Sequence, residues 1–414
     1  MPRAAQTAAW VARPGPFMAK AHARYGDVFT LKIGTEPPWV VLAHPDHVRE
    51  VFKGDPALLH AGKANIILRP FLGRSSVLLL DGPQHLRQRK LMLPPFHGAR
   101  MAAYEDLVAE IAREHIASWP RGDTIALAPR FQAITLDVVL RVIFGVERGA
   151  RLDELRARLT KMMDGIMGGP SMLAMVAAGP ERIEQLGLYK PWLRPVDELL
   201  FEQIADRRAR PGEDVLSLLL AARTEEGEPL TDTEVRDELM TLLIAGHETT
   251  ATALAWTAER LTRLPGGWEA LRAGGEEYAE AAGKEALGLK PVLPVVLRHL
   301  QQDATIAGLD LEAGTVVAPC IYLVHRRADV YPDPLAFRPE RFLGPDAQGG
   351  TYTWIPFGGG IRRCLGAAFA LMELRIVLKE LAALEAVAPA PASEGTRRRS
   401  ITMVPARGAE VVLS

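Results

Sequence analysis

The sequence predicts a mainly α-helical chain with a small β-rich lobe, folded as one domain over residues 1–414, and three observations carry that prediction. Between Thr231 and Leu264 there is no proline and the character is largely apolar, enough for about 34 helical residues or roughly 50 Å of helix. Strand-forming residues gather only near 28–42, 315–320 and 401–413. No Gly/Ser- or Pro-rich linker, repeat or low-complexity block divides the chain, although its length alone would allow two or three domains.

Composition narrows the function. The 414 residues are 48% hydrophobic and 24% charged with a formal net charge of −1, an ordinary globular profile that gives no support for nucleic-acid binding. Two cysteines, Cys320 and Cys364, cannot make a disulfide framework. The start is Ala-rich but broken by Pro2, Arg3, Arg13, Pro14 and Pro16, and does not resemble a signal peptide. No apolar run reaches the ~18 residues of a membrane span. A cytoplasmic protein without a membrane span is expected.

In chain order, residues 28–33 alternate and are rich in strand formers, 39–42 are a second apolar run, and the connection between them is hairpin-like. Asp46 to Phe52 reads as a short helix; residues 58–80 are irregular and apolar, the kind of loop that lines a pocket. Asp81-Gly82-Pro83 opens a helix that carries His85, Arg87, Arg89 and Lys90, with His85 and Arg89 four apart on one face. Taken alone, this is a solvated basic face. Residues 105–119, 131–144 and 152–167 show helical periodicity, and Gly168-Gly169-Pro170 ends the last. Met162, Met163, Met167, Met172 and Met175 cluster at that break, as core packing or as an adaptable apolar surface. Thr231-Asp232-Thr233-Glu234 is a capping box. Residues 315–320 form a strand ending at Cys320, which has no companion ligand and reads as structural. Residues 401–404 and 409–413 suggest a terminal hairpin around 405–408.

Two stretches carry chemistry. In Pro356-Phe357-Gly358-Gly359-Gly360-Ile361-Arg362-Arg363-Cys364-Leu365-Gly366, a glycine-rich turn leads to Cys364 just before a helical run from Ala367 to Leu384. A thiol at a helix start faces unpaired N–H groups and the positive dipole end, which favours its thiolate. Glycines let the backbone fold tightly around the sulfur, and Arg362 and Arg363 add positive charge. A metal-binding thiolate fits better than a disulfide or a nucleophile; a buried structural cysteine and a phosphate-cradling loop are the alternatives. The second stretch, Ala245-Gly246-His247-Glu248-Thr249-Thr250, puts glycine, an acid and two hydroxyls in the middle of the long apolar helix. Glycine weakens the helix there and threonines can bond back to carbonyls, so a local bulge or kink is expected.

The cysteine stretch follows the pattern Phe-Gly-x-Gly-x-Arg-x-Cys-x-Gly and resembles the haem-binding loop of the cytochrome P450 family; the long-helix stretch is similar to that family's oxygen-activating motif. The resemblance runs from about Tyr25 to the C-terminus. It implies that Cys364 is the thiolate ligand of haem b (iron protoporphyrin IX), with Phe357 near the sulfur, Arg362 beside the cofactor and Gly366 letting the following helix approach the porphyrin. It implies further that His85, Arg89 and Arg298 bind the haem propionates, and that Glu248 and Thr249 serve oxygen activation, the acid as proton relay and the hydroxyl as hydrogen-bond partner. Pro339-Glu340-Arg341-Phe342 matches another family segment, whose Arg341 would pair with Glu285 to brace the haem loop. Here the chain departs from the family: Glu285 stands in Glu-x-x-Arg, but Gly288 takes the arginine's place.

On that resemblance the chain inserts one atom of O2 into an apolar small molecule, such as a fatty acid, terpenoid or polyketide. Electrons would come from a ferredoxin/ferredoxin reductase system, since no Rossmann fingerprint, flavin or iron–sulfur segment is present. A monomer is expected, and Arg87, Lys90 and Arg363 would offer the donor a basic face. The rivals are a peroxide-driven or non-oxygenase haem-thiolate enzyme and a non-catalytic haem-binding sensor.

Overall fold

The computed structural model describes residues 1–34, 36–167, 179–384 and 386–413. It is mainly helical with small sheets, as the sequence predicts. The chain divides into two compact units, one made of Met1–His60, Val108–Gln132 and Thr249–Ser414, the other of Ala61–Leu107 and Ala133–Glu248.

The first unit holds the β-rich lobe. Strands β1 (Val28–Leu31) and β2 (Trp39–Leu42) pair antiparallel as the hairpin-like pattern predicts, with Val28 opposite Leu42. Four further strands introduced in order are β3 (Leu59–His60), β4 (Thr124–Ala126), β5 (Arg298–Leu300) and β6 (Ala304–Ile306). Then come β7 (Leu309–Leu311), β8 (Val316–Pro319), β9 (Val387–Pro389), β10 (Thr396–Arg399), β11 (Thr402–Pro405) and β12 (Glu410–Leu413). The main sheet has the order β1-β2-β8-β5-β3, with β8 parallel to β2 and antiparallel to β5. Successive side chains on a strand point to opposite faces, and here both faces are buried. Phe29, Leu31, Val41, Val316 and Ala318 pack with Trp10 and Met18; Val40, Leu42, Val317 and Leu300 pack with Val48, Val51 and Phe52 of the helix Pro45–Lys53.

This unit adds helices at the start of the chain and corrects one expectation. The prolines of the first twenty residues bound helices rather than prevent them: Arg3–Ala12 and Pro14–Tyr25 are helical, with Pro14 in the first turn, where its missing N–H has no intrahelical partner to lose. The terminal hairpin is not 401–404 with 409–413. β11 pairs with β10 across a tight turn in which Ser400 adopts φ +54°, whereas β12 lies between β4 and β9. Apolar alternation marked the strands but could not say which partner each takes.

The helix Gly267–Leu289 is interrupted by Gly275 (φ +58°, ψ −138°) and carries Glu285 and Gly288 near its end. The C-terminal helix Ala367–Ala382 begins where predicted, three residues after Cys364.

The long helix, Asp232–Arg263, gives its first half to the second unit and its second half to the first. Its capping box is formed as read: Glu234 N–H donates to Thr231 Oγ1 (3.2 Å) and Thr231 N–H donates to Glu234 Oε2 (2.8 Å). The bulge expected at Ala245–Thr250 is not found; the helix is α throughout. Nothing presses on Gly246, where a Cβ would meet only Val139 Cγ2 at 3.8 Å. A wide turn occurs instead in the facing element, where Val139–Ile143 is π-helical after the helix Leu127–Val138. The second unit also contains the helices Gly82–Met92, Ala150–Met167 and Lys190–Ala209. Of the methionine cluster, Met162 is buried; residues 168–178, with Met172 and Met175, lie outside the described residues.

Candidate active site

The cysteine loop is hung from fixed points within the first unit. His325 is buried, and its Nε2 accepts the Ile355 N–H at 2.8 Å, so the ring is neutral with the proton on Nδ1; burial pushes its pKa down to about 3. Trp354 donates its indole N–H to the Lys284 carbonyl (3.1 Å) and meets Phe357 edge-on at 5.9 Å. Beyond these anchors the loop turns at Gly358 (φ +67°) and Gly360 (φ +64°), conformations that favour glycine. Gly359 and Gly360 are also required by space, since a Cβ on either would collide with Phe52, its ring and its carbonyl oxygen respectively. The turn closes when Cys364 N–H donates to the Phe357 carbonyl at 3.0 Å. Cys364 emerges exposed, whereas Cys320 is buried with its thiol pushed up to about 12.

Phe52 organises more than the glycines. Arg298, 7% exposed on β5, places its guanidinium 6.0 Å from the Phe52 ring and donates to the Leu297 carbonyl (2.9 Å). Phe52 thus stands between Arg298 and the cysteine loop. Sequence reading missed it because an apolar residue on a short helix looks like ordinary core. Arg362 closes the 3₁₀ turn Gly360–Arg362 and is half-buried; Gly366 precedes the C-terminal helix, and a Cβ there would meet nothing within 4 Å.

Glu285 and Arg341 meet as an ion pair. Glu285 Oε1 accepts from Arg341 Nε (3.2 Å) and from the Arg338 N–H (2.9 Å), both side chains of the ion pair being buried. Arg341 also donates to the Asp333 carbonyl (2.8 Å). Burial raises the Glu285 pKa, and these donors offset it only in part. Gly288 opens onto a cleft lined by Glu285, His325, Tyr331, Arg341 and Trp354, and a Cβ at Gly288 would meet nothing within 4 Å.

On the long helix, Ala245, Glu248 and Thr249 share one face by their spacing and are exposed or half-exposed, while Leu239, Met240, Leu243 and Thr250 are buried. An acid and a hydroxyl are therefore presented on an accessible stripe of an otherwise buried helix. His247, between them in sequence, is turned away: Thr135 Oγ1 donates to its carbonyl (3.0 Å) and sits 2.9 Å from its Nδ1. No motif pointed to Thr135.

In the second unit, His85 is buried and Arg89 half-buried on the helix Gly82–Met92. Arg87 and Lys90 do not form a free basic surface. Arg87 pairs with Glu234 (2.8 Å) and Lys90 with Glu225 (2.9 Å), so their charges are locally compensated.

Within the first unit the donor set fits haem: one exposed thiol on a glycine-bent loop before a helix, an open flank at Gly366, and the buried guanidinium of Arg298, a group suited to carboxylates. Among the described residues, no group of three or more His, Cys, Asp and Glu suggests a separate metal site. No helix of the described residues is long and apolar enough to cross a membrane.

Comparison with known proteins identifies the family. The cytochrome P450 family model matches residues 6–273 and 276–382. Cytochrome P450 135B1 of Mycobacterium tuberculosis (strain ATCC 25618 / H37Rv) is 41% identical over 413 residues, covering 95% of this chain and 86% of the relative. Cytochrome P450 135A1 of the same strain is 39% identical over 436 residues, covering 100% and 94%. The fold is shared with the retinoic acid-bound cyanobacterial CYP120A1 (TM-score 0.84, 23% identity, 99% of this chain and 96% of that one). It is shared too with the cytochrome P450DA heme domain (TM-score 0.82, 24% identity, 96% and 92%). The chain belongs to the cytochrome P450 family. It is an oxidoreductase of the monooxygenase class, and its cofactor is haem.

Proposed function

We propose that the chain, acting as one domain and as a cytoplasmic monomer, inserts one atom of O2 into an apolar small molecule of the fatty acid, terpenoid or polyketide kind. The second oxygen atom leaves as water, with two protons from solvent and two electrons from NAD(P)H delivered by a ferredoxin-type donor. Haem bound through a thiolate supplies oxygen activation. Cys364 provides that thiolate, and the N–H groups at the start of the helix Ala367–Ala382 favour its charge. His85, Arg89 and Arg298 hold the haem carboxylates by charge-assisted hydrogen bonds, Arg362 adds positive charge, and Phe357 packs near the sulfur. Glu248 takes and gives a proton at its carboxylate, and the Thr249 hydroxyl holds a proton at the same accessible stripe. With Arg87 and Lys90 engaged by glutamates, Arg363, exposed beside Cys364, is the cation left to meet an acidic donor.

The observation that carries this reading is the exposed Cys364 thiol at the end of its glycine-bent loop. The reduced, CO-treated holoprotein should show the red-shifted Soret band of thiolate ligation, and Cys364→Ser should lose it. A Cys364→Ser protein that keeps the band would overturn the assignment.

A further inference from the structure

One face of the long helix grips the loop ahead of the His85 helix at three consecutive residues. Asp237 accepts the Ser75 N–H (2.9 Å), Thr241 Oγ1 meets Ser76 Oγ (2.7 Å), and Glu238 Oε1 accepts the Val77 N–H (2.8 Å). The grip is close enough that a Cβ at Gly73 (φ +86°) would strike the Asp237 carboxylate. Glu238 is fully buried, and the side-chain amide of Gln88 lies beside its carboxyl. Glu238 Oε2 and Gln88 Nε2 are both buried without a hydrogen-bond partner among the described residues. Gln88 is the neighbour of Arg89 and lies three residues from His85 on the helix Gly82–Met92. All of these residues belong to the second unit.

We propose that Glu238 is a positioning residue for the haem-carboxylate anchors: through Val77 and Gln88 it sets where the helix carrying His85 and Arg89 lies along the long helix. This rests on the reading of His85 and Arg89 as those anchors. Glu238 performs the task as a neutral acid, because burial pushes its pKa up to about 8. No cation faces it. Its neighbours on the helix are the carboxylates Glu234 and Asp237; Arg87 is engaged by Glu234, and Arg236 by Asp197 and Asp237. From the other elements, the polar groups that face it among the described residues are the Val77 N–H and the Gln88 amide. Ionisation strengthens the bond to the Val77 N–H but leaves a buried charge beside two carboxylates, and hydrating that charge requires water to part the loop and the Gln88 helix from the long helix.

The test follows haem transfer from the holoprotein to apomyoglobin between pH 6.5 and 9. With a pKa near 8, the ionised fraction rises about tenfold from pH 7 to pH 9, and the haem-loss rate of the parent should rise with it. Glu238→Gln, which keeps shape and charge neutrality, should release haem at the parent's pH 7 rate and stay flat across the range. The same slope in parent and variant overturns the proposal. Amide hydrogen exchange of the 73–80 segment, corrected for intrinsic base catalysis, is the second measurement, and should loosen with pH in the parent alone. If this segment loosens but His85→Ala and Arg89→Ala leave haem loss unchanged, the grip of Glu238 stands and the anchor reading falls. If those two variants release haem faster while parent exchange shows no excess with pH, the anchors stand and the role of Glu238 falls. Parent exchange alone decides the matter if Glu238→Gln does not fold.

Discussion

Replacing Gly288 by arginine is expected to stabilise the holoprotein. A Cβ at this position would meet nothing within 4 Å, and the narrow cleft it opens onto, about 10 Å³, reaches solvent, so the longer side chain must run along its open side towards Glu285. Removing glycine from the last turn of this helix contributes at most about 0.8 kcal/mol. A guanidinium reaching Glu285 adds a charge-assisted hydrogen bond of about 1.5–3 kcal/mol, and ordering the long side chain costs about 1.5–2 kcal/mol. The net gain is about 0.5–2 kcal/mol. For a chain of 414 residues the melting entropy is about 0.9 kcal/mol/K, so the melting temperature should rise by about 1–2 °C. Gly288→Ala isolates the helix contribution, and the excess of Gly288→Arg over it measures the new contact with Glu285. That excess depends on pH with a definite sign. Glu285 has a raised pKa, so its contribution to stability is complete below its ordinary value of 4.5 and falls as pH rises through the raised value. The added cation opposes that fall, so the excess should be small near pH 4.5 and larger near pH 7. Scanning calorimetry of the parent and both variants at the two pH values decides the matter. An arginine variant that melts below the alanine variant at pH 7 would show that the pairing of Glu285 with Arg341 and Arg338 is already complete.

Thr249→Ala should keep haem content and substrate binding while diverting reducing equivalents to peroxide, and Glu248→Gln should slow turnover by about a hundredfold or more; measuring NAD(P)H consumed against product and peroxide checks both. Glu373 is buried on the C-terminal helix, one carboxyl oxygen lacks a hydrogen-bond partner among the described residues, and burial pushes its pKa up to about 8. Its charge therefore costs stability progressively as pH rises from 4.5 towards 8, about 3 kcal/mol by pH 7. Glu373→Gln should match the parent near pH 4.5 and exceed it increasingly above, as read by urea unfolding. Arg363→Glu should slow the first electron transfer from an acidic ferredoxin in stopped-flow reduction. Arg87→Glu and Lys90→Glu should change it little, since both cations already have partners.

What the sequence could disclose was the content of elements rather than their partners. The apolar run at Trp39–Leu42, the capping box at Thr231 and the glycine-bent approach to Cys364 each depend on neighbours a few residues away, and all three are found as read. The pairing of Glu285 with Arg341 was reached only through resemblance, and its single Nε contact with added help from the Arg338 amide was beyond reach. Phe52, Thr135 and Glu238 went unnoticed because each acts across a long sequence separation through a shape or a buried hydrogen bond. The misplaced hairpin has the same origin, since alternation in 401–413 is equally compatible with either neighbour. The basic stripe at Arg87 and Lys90 looked free because the glutamates that neutralise it lie far along the chain.

The order of strands in the main sheet has a consequence for the birth of the protein. β8 is its central strand, wedged between β2 and β5, and pairs Trp39 with Val316. During synthesis the β1–β2 hairpin leaves the ribosome long before the strand that completes it, with one edge unpaired and with Val40 and Leu42 lacking most of the core that later covers them. Non-local pairing of this kind forms slowly, and an uncovered apolar edge invites association with other chains meanwhile. Yield in a heterologous host should thus respond to translation speed and to chaperones acting on the nascent amino-terminal lobe, even for variants whose finished stability is unchanged.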